Sequence, residues 1–269
     1  MGQDAIDSKT DASQAAADQR PGTALITGGG TRLGSHFALN LAHRGYDIAL
    51  HYNTSRDSAQ QVAEQIRKLG RRCELFALDF NAHEDPGQLI IDVLAAMPDL
   101  NLLVNSASAY DAVSTAETDR ALLEKQFGIN FFTPYLLTRR FATQVGSGNI
   151  INILDNKIAY QQYHYSAYLL SKKTLAEFTK MAAVEFAPAI RINGIAPGVV
   201  LPMDSRSSAY LDWRIEGIPL KQQGVPEQLC QAMNYILDNS FVCGQILFVD
   251  GGEAINHIGR NSETFPGGQ

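Results

Sequence analysis

The 269-residue chain carries only three cysteines, Cys73, Cys230 and Cys243, and a single tryptophan. An odd count with no C-x-x-C pair excludes a disulfide framework and a zinc knuckle. It points instead to reduced thiols in a cytoplasmic protein, and no metal is expected. Positive charge is scarce too: 22 Lys and Arg against 28 Asp and Glu leave a net charge of −6. Such a chain lacks the basic field that contact with a phosphate backbone requires, so no nucleic-acid partner is expected. No apolar run approaches the roughly 18 residues of a membrane span. The N-terminus also lacks a signal peptide's basic patch and apolar stretch. What is present is ordinary for a globular domain: 45% hydrophobic and 19% charged residues, enough at this length to bury roughly three quarters of the unfolded surface. Residues 1–20 are rich in Asp, Ala, Gln and Ser without apolar periodicity, which predicts a disordered N-terminal tail. Residues 21–269 read as one domain, because no Pro/Gly/Ser linker divides them.

From Thr23 onward, strand-length apolar runs alternate with longer helical patterns. The strands are expected at Ala24–Thr27, Ile48–Tyr52, Glu74–Ala77, Leu102–Asn105, Asn149–Leu154, Arg191–Ile195 and Ile246–Val249. Helices are expected to start near Leu33, Asp57, Pro86, Asp119, Tyr165 and Pro226. Near-continuous Val/Ile/Leu strands mean a parallel sheet covered on both faces, and right-handed crossovers make it doubly wound. The fold class is therefore α/β, a single-domain Rossmann-like doubly wound parallel sheet of about seven strands. Val199 to about Gly224 breaks the rhythm and reads as a substrate-covering loop.

Three local patterns carry chemistry. The first strand enters Thr27-Gly28-Gly29-Gly30-Thr31-Arg32-Leu33-Gly34 and a helix follows. Glycines there allow a tight turn and close approach of backbone to a pyrophosphate, which the helix N-terminus attracts. Arg32 can reach phosphate or the cleft. The second strand ends in His51-Tyr52-Asn53-Thr54-Ser55-Arg56, with no acid before Asp57. An acid at that place would bond ribose hydroxyls, whereas hydroxyls with Arg56 suit a 2′-phosphate. Of ten tyrosines only Tyr168 has a lysine four residues on, Lys172, which places both on one helix face. An ammonium about 4 Å from the phenol, at effective dielectric near 20, would favour the phenolate by roughly 4 kcal/mol, or about three pK units. Gly28, Asp79, Asn105, Asp155 and Pro197-Gly198 all fall just past expected strand ends, the edge where such sheets bind ligands.

Together these residues resemble the short-chain dehydrogenase/reductase family over roughly residues 22–256. Its marks TGxxxGxG, a strand-end Asp, NNAG, a helix Asn, a Ser thirteen residues before the Tyr, YxxxK and PG appear here as Thr27–Gly34, Asp79, Asn105-Ser106-Ala107-Ser108, Asn130, Asp155, Tyr168/Lys172 and Pro197-Gly198. The resemblance implies a nicotinamide cofactor and an Asn130–Tyr168–Lys172 proton relay. It places the cofactor against Gly28, Arg32, Leu33, Gly34, His51, Tyr52, Asn53, Thr54, Ser55, Asp79, Phe80, Asn105, Ala107, Ser108, Tyr168, Lys172, Pro197, Gly198 and Val199. Four departures look like the pteridine reductase branch: Arg32 for Gly, Ser108 for the last Gly of NNAG, Asp155 for Ser, and the added aromatic Tyr110. Val200 stands where that branch tends to carry Ser. A carboxyl at 155 can bond an amino-pyrimidine edge or help pass a proton to ring nitrogen beside Tyr168. The implied activity is NADPH-dependent reduction of a dihydropterin-type pteridine. Asn130, Asp155, Tyr168 and Lys172 would be catalytic, with Arg32, Ser108, Tyr110, Asp155, Tyr168 and His257 at the substrate. A ketone-directed carbonyl reductase and a catalytically idle dinucleotide-binding protein are the competing readings. The resemblance also implies a homotetramer, with His257 entering a neighbouring subunit's site.

Overall fold

The computed structural model describes residues 21–202, 207–256, 260 and 264–266. The expected tail 1–20 and His257 lie outside them. Seven strands form one parallel sheet: β1 (Thr23–Ile26), β2 (Asp47–Tyr52), β3 (Cys73–Ala77), β4 (Leu100–Asn105), β5 (Gly148–Ile153), β6 (Ile190–Pro197) and β7 (Ile246–Val249). Their order across the sheet is β3-β2-β1-β4-β5-β6-β7. Chain direction across the sheet therefore reverses beside β1, which pairs with β2 on one side and β4 on the other. That crevice is where a doubly wound sheet opens to a ligand.

Helices α1 (Arg32–His43), α2 (Arg56–Lys68) and α8 (Pro226–Asp238) cover one face, and α3 (Gln88–Ala96), α5 (Thr133–Gln144) and α6 (Ser166–Phe186) cover the other. The strands are apolar on both faces because both are buried. Ala24 and Ile26 enter the first core with Phe37, Ile66 and Met233, while Leu25 enters the second with Val93, Leu137 and Phe141. Among the described residues no helix is long and apolar enough to cross a membrane.

The strands begin within two residues of the expected positions. Two features were not anticipated. The helix opening at α4 (Arg120–Phe127), capped by Asp119 through a 2.8 Å bond from the Leu122 N–H, does not run straight. It widens into a π-helical turn at Gly128–Phe132 before continuing as α5. The segment 199–224 also contains a helix, α7 (Ser208–Gly217), whose Ser207 cap accepts from the Tyr210 N–H. Its weak amphipathic pattern hid it: it packs through scattered residues, with Tyr210 and Arg214 buried, rather than through one stripe.

Candidate active site

A cleft of about 640 Å³ opens along the carboxyl edge of the sheet. Among the described residues, every site residue expected from the sequence lines it except Asn105, Asn130 and Arg56. At one end lies the glycine turn. Gly28 has φ +64°, and a Cβ there would stand 3.0 Å from the Cα of Ala107. A Cβ on Gly34 would stand 2.1 Å from the Gly28 carbonyl oxygen, so only glycine lets α1 start this close to the turn. A narrow all-glycine approach beside a helix N-terminus fits a dinucleotide pyrophosphate. Thr27 Oγ1 accepts from the N–H groups of Ser106 and Ala107, both at 3.0 Å, which locks the loop after β4 against this turn. Arg32 reaches across the cleft, and its Nη2 donates to the Leu201 carbonyl at 2.5 Å.

His51 lines the cleft but acts as a brace. It is 2% exposed. Its Nδ1 accepts from the Gly28 N–H at 3.1 Å, its Nε2 lies 3.0 Å from the Leu78 carbonyl, and its ring stacks on Phe80 at 4.2 Å. These partners require the neutral ring with the proton on Nε2. Burial pushes its pKa down to about 4. The unfolded chain binds this proton below about pH 6.5 and the folded chain only near pH 4, so stability is complete above the unfolded value and is lost as pH falls toward 4. At 1.36 kcal/mol per unit the depressed value amounts to about 3 kcal/mol. Urea denaturation at pH 7 and pH 4.5 should show wild-type protein losing about 2–3 kcal/mol more than His51→Gln. Equal losses would show that His51 is not the acid-sensitive brace.

Next to His51, Tyr52, Asn53, Thr54 and Ser55 border the cleft. Ser55 stands at the N-cap of α2 without spending its hydroxyl on a cap bond. Arg56, the first residue of α2, is exposed and stands just outside the lining. Asp79, Phe80, Ala107, Ser108, Pro197, Gly198 and Val199 complete the wall at the ends of β3, β4 and β6. Asn105 lies behind it. Its amide donates to Asn152 Oδ1 at 2.8 Å, and Asn152 donates in turn to Thr179, tying β4, β5 and α6 together.

Asn130 sits in the π-helical turn and is fully buried. Its Oδ1 accepts from Ser108 Oγ at 2.9 Å and from the Ala109 N–H at 3.0 Å. Its Nδ2 donates to the Ala109 carbonyl and to Gln126 Oε1, both at 3.0 Å. These bonds hold the Ser108–Tyr110 loop. Gln126, 1% exposed, passes the support on by donating to Asp111 at 2.6 Å. No sequence signal marked Gln126.

Asp155, Tyr168 and Lys172 meet on the other wall. Asp155 caps a short 3-10 turn at Asn156–Ala159. One carboxylate oxygen accepts from the Lys157 N–H and the other from the Tyr168 hydroxyl, both at 2.8 Å. Lys172 Nζ donates to the Ile153 carbonyl at 2.8 Å and stands 6.0 Å from the centre of the Tyr168 ring. The expected lowering of the phenol pKa is overturned. Burial, and then the Asp155 carboxylate, push the Tyr168 pKa well up. Burial also pulls Lys172 down to about 8, weakening the cation meant to oppose them. Tyr168 is therefore a hydroxyl held in its protonated form, suited to donate. Tyr110 meets it edge-on, ring centres 4.7 Å apart.

Wall residues that were not foreseen include Lys157, Tyr210 and Arg214. The last two come from α7, in the segment without sequence rhythm. Around His257, the described parts of the C-terminal segment pack on α7 of the same chain. Asn256 donates to the Gly217 carbonyl, Arg260 donates to that of Trp213, and Phe265 meets Tyr210 and Trp213. Among the described residues no group of three or more His, Cys, Asp or Glu side chains could hold a metal.

Comparison with known proteins agrees with this geometry. An uncharacterized oxidoreductase of Mycobacterium tuberculosis (strain CDC 1551 / Oshkosh) is 32% identical, covering 85% of this chain and 90% of its own. A 3-oxoacyl-[acyl-carrier-protein] reductase, FabG, of Staphylococcus epidermidis is 29% identical over 86% of this chain and 98% of its own. Among solved structures, the FolM alternative dihydrofolate reductase 1 of Brucella suis, in complex with NADP, superposes with a TM-score of 0.83. It is 27% identical and covers 88% of this chain and 96% of its own. The Brucella canis counterpart, also with NADP, gives the same TM-score and identity. The family model for short chain dehydrogenases matches residues 22–210, so the chain belongs to that oxidoreductase family and uses its nicotinamide dinucleotide.

Proposed function

We propose that the chain is an NADPH-dependent reductase of dihydropterin-type pteridines. The observation that carries this reading is the 2.8 Å bond from the Tyr168 hydroxyl to Asp155 at the cleft wall. A pteridine needs a hydride on a ring carbon and a proton on the neighbouring nitrogen. NADPH, when bound along the glycine turn, would supply the hydride. Tyr168, kept protonated by burial and by Asp155, supplies the proton. Asp155 offers carboxylate oxygens to an amino-bearing ring edge, and Tyr110 offers an aromatic edge to the same ligand. The likeness to the two Brucella enzymes supports the reading, because dihydrofolate contains a dihydropterin ring.

A second reading is reduction of a carbonyl, favoured by the 29% identity to the 3-oxoacyl reductase. Tyr168 and Lys172 suffice for that reaction. NADPH oxidation by purified protein against a dihydropterin and a 3-oxoacyl thioester separates the two. Turnover of the thioester alone would remove the pteridine reading. The proposal extends to a homotetramer, supported by the exposed apolar residues Phe132, Tyr135, Leu170, Met181 and Val184 on and beside α5 and α6. It also places the protein in the cytoplasm, with Cys73, Cys230 and Cys243 as free thiols.

The acid-free end of β2 predicts preference for NADPH over NADH. Each charge-assisted bond from Ser55, or from Arg56 swung inward, to a 2′-phosphate contributes about 1.5–3 kcal/mol. The kcat/KM ratio for the two cofactors should exceed about tenfold, and Ser55→Asp should reverse it by repelling the phosphate. A ratio near one for wild-type protein would contradict this assignment.

A further inference from the structure

We infer that Tyr165, which does not line the cleft, is the positioning residue that makes the site select a flat fused-ring substrate over an aliphatic one. The backbone supplies the first reason. Tyr165 stands at the N-cap of α6 with φ 65° and ψ 24°, in the left-handed region. Gly or Asn adopts that conformation readily, and a bulky aromatic does not. A large ring retained at such a position has work to do in the folded state.

The contacts show what that work is. Tyr165 is 2% exposed and touches all three pieces that carry the reacting wall. Its ring stacks on Tyr110, with centres 4.7 Å apart and planes 22° apart. Its N–H donates to the Val113 carbonyl at 3.0 Å, anchoring the loop that carries Tyr110. The Lys157 ammonium, two residues after Asp155, lies 5.5 Å from its ring centre. Its carbonyl accepts from the Leu169 N–H at 2.8 Å, opening the helix that presents Tyr168. Tyr110 itself is 37% exposed and lines the cleft. Tyr165 backs one side of this ring, and the exposed part of the ring borders the cleft. Tyr165 thus sets the plane of Tyr110 relative to Tyr168, and a ligand that stacks or meets Tyr110 edge-on gains from that fixed plane. An aliphatic carbonyl compound gains nothing from it.

This inference deepens the pteridine reading and rests on it for the identity of the ring, though not for the role of Tyr165. The test compares a dihydropterin, 2-acetylnaphthalene and 2-butanone as substrates. The variants are Tyr165→Asn, which suits the left-handed backbone and removes the ring, and Tyr165→Phe, which keeps the ring. In Tyr165→Asn, KM for the fused-ring substrates should rise roughly two- to tenfold, the range for one aromatic pair. Their kcat, the KM for NADPH and the kcat/KM for 2-butanone should stay within twofold. Tyr165→Phe should restore wild-type KM values. If wild-type protein ignores dihydropterin but prefers 2-acetylnaphthalene, and Tyr165→Asn abolishes that preference, the pteridine reading fails and this inference stands. A wild-type protein without fused-ring preference overturns the inference. So does a Tyr165→Asn variant that keeps the preference or loses all substrates equally.

Discussion

Asp155→Ser should lower pteridine reduction by a factor of about 10²–10⁴, the usual weight of one general acid–base group. Asp155 holds the Tyr168 hydroxyl with one oxygen and caps the turn at Lys157 with the other. Serine can still cap that turn, so the fold and the dinucleotide end of the cleft should change little. What disappears is the carboxylate that helps raise the phenol pKa and that, on the pteridine reading, would face the ring nitrogens. A ketone requires only a proton donor and should be reduced as well as before or better, because a phenol freed of that carboxylate is a stronger acid. Steady-state kinetics on both substrates with purified variant decide the matter. Retained pteridine turnover with lost ketone turnover would show that Asp155 has a structural role and that the substrate class is wrong.

Glu253→Gln should cost about 3–5 kcal/mol of folding stability, the range for removing one partner of a buried ion pair. Glu253 and Arg214 are 7% and 5% exposed and meet at 2.6 Å. The glutamine side chain has the same shape but leaves the Arg214 charge buried without a counter-ion. Glu253 also accepts from Asn156 Nδ2 at 2.8 Å, and its backbone carbonyl accepts from the Tyr160 hydroxyl. It therefore joins α7 to the loop that begins at Asp155. The double variant Arg214→Met/Glu253→Leu, which removes both charges and keeps the bulk, should recover most of the loss. Urea midpoints for wild type, the single variant and the double variant measure this. A single-variant cost below about 1 kcal/mol would mean that water reaches the pair.

The parallel sheet was legible because its strands are apolar on both faces, and period and length alone reveal such runs. The glycine turn and Asp155 were legible because each follows a strand end, and Tyr168 and Lys172 because of their i, i+4 spacing on the helix after Asp155. Three things were not. The π-helical turn at Asn130 leaves no period of its own in a stretch that reads as helix. Helix α7 packs without a stripe, so Tyr210 and Arg214 could not be placed at the wall. The direction of the Tyr168 pKa depended on burial, which spacing does not report. An i, i+4 lysine argued for the phenolate, and the low-polarity wall with Asp155 reversed it.

The placement of Glu253 has a consequence for how the molecule is made. Synthesis delivers the N-terminal part first. Strands β1, β2 and β4, with the glycine turn and His51, are complete once the chain has passed Asn105. The turn after Asp155 and helix α7 are joined through Glu253, which lies 97 residues beyond Asn156 in the sequence. Non-local pairings of this kind form slowly, so the bonds of Glu253 to Asn156 and Arg214 are expected to form after the local turns and helices that they join.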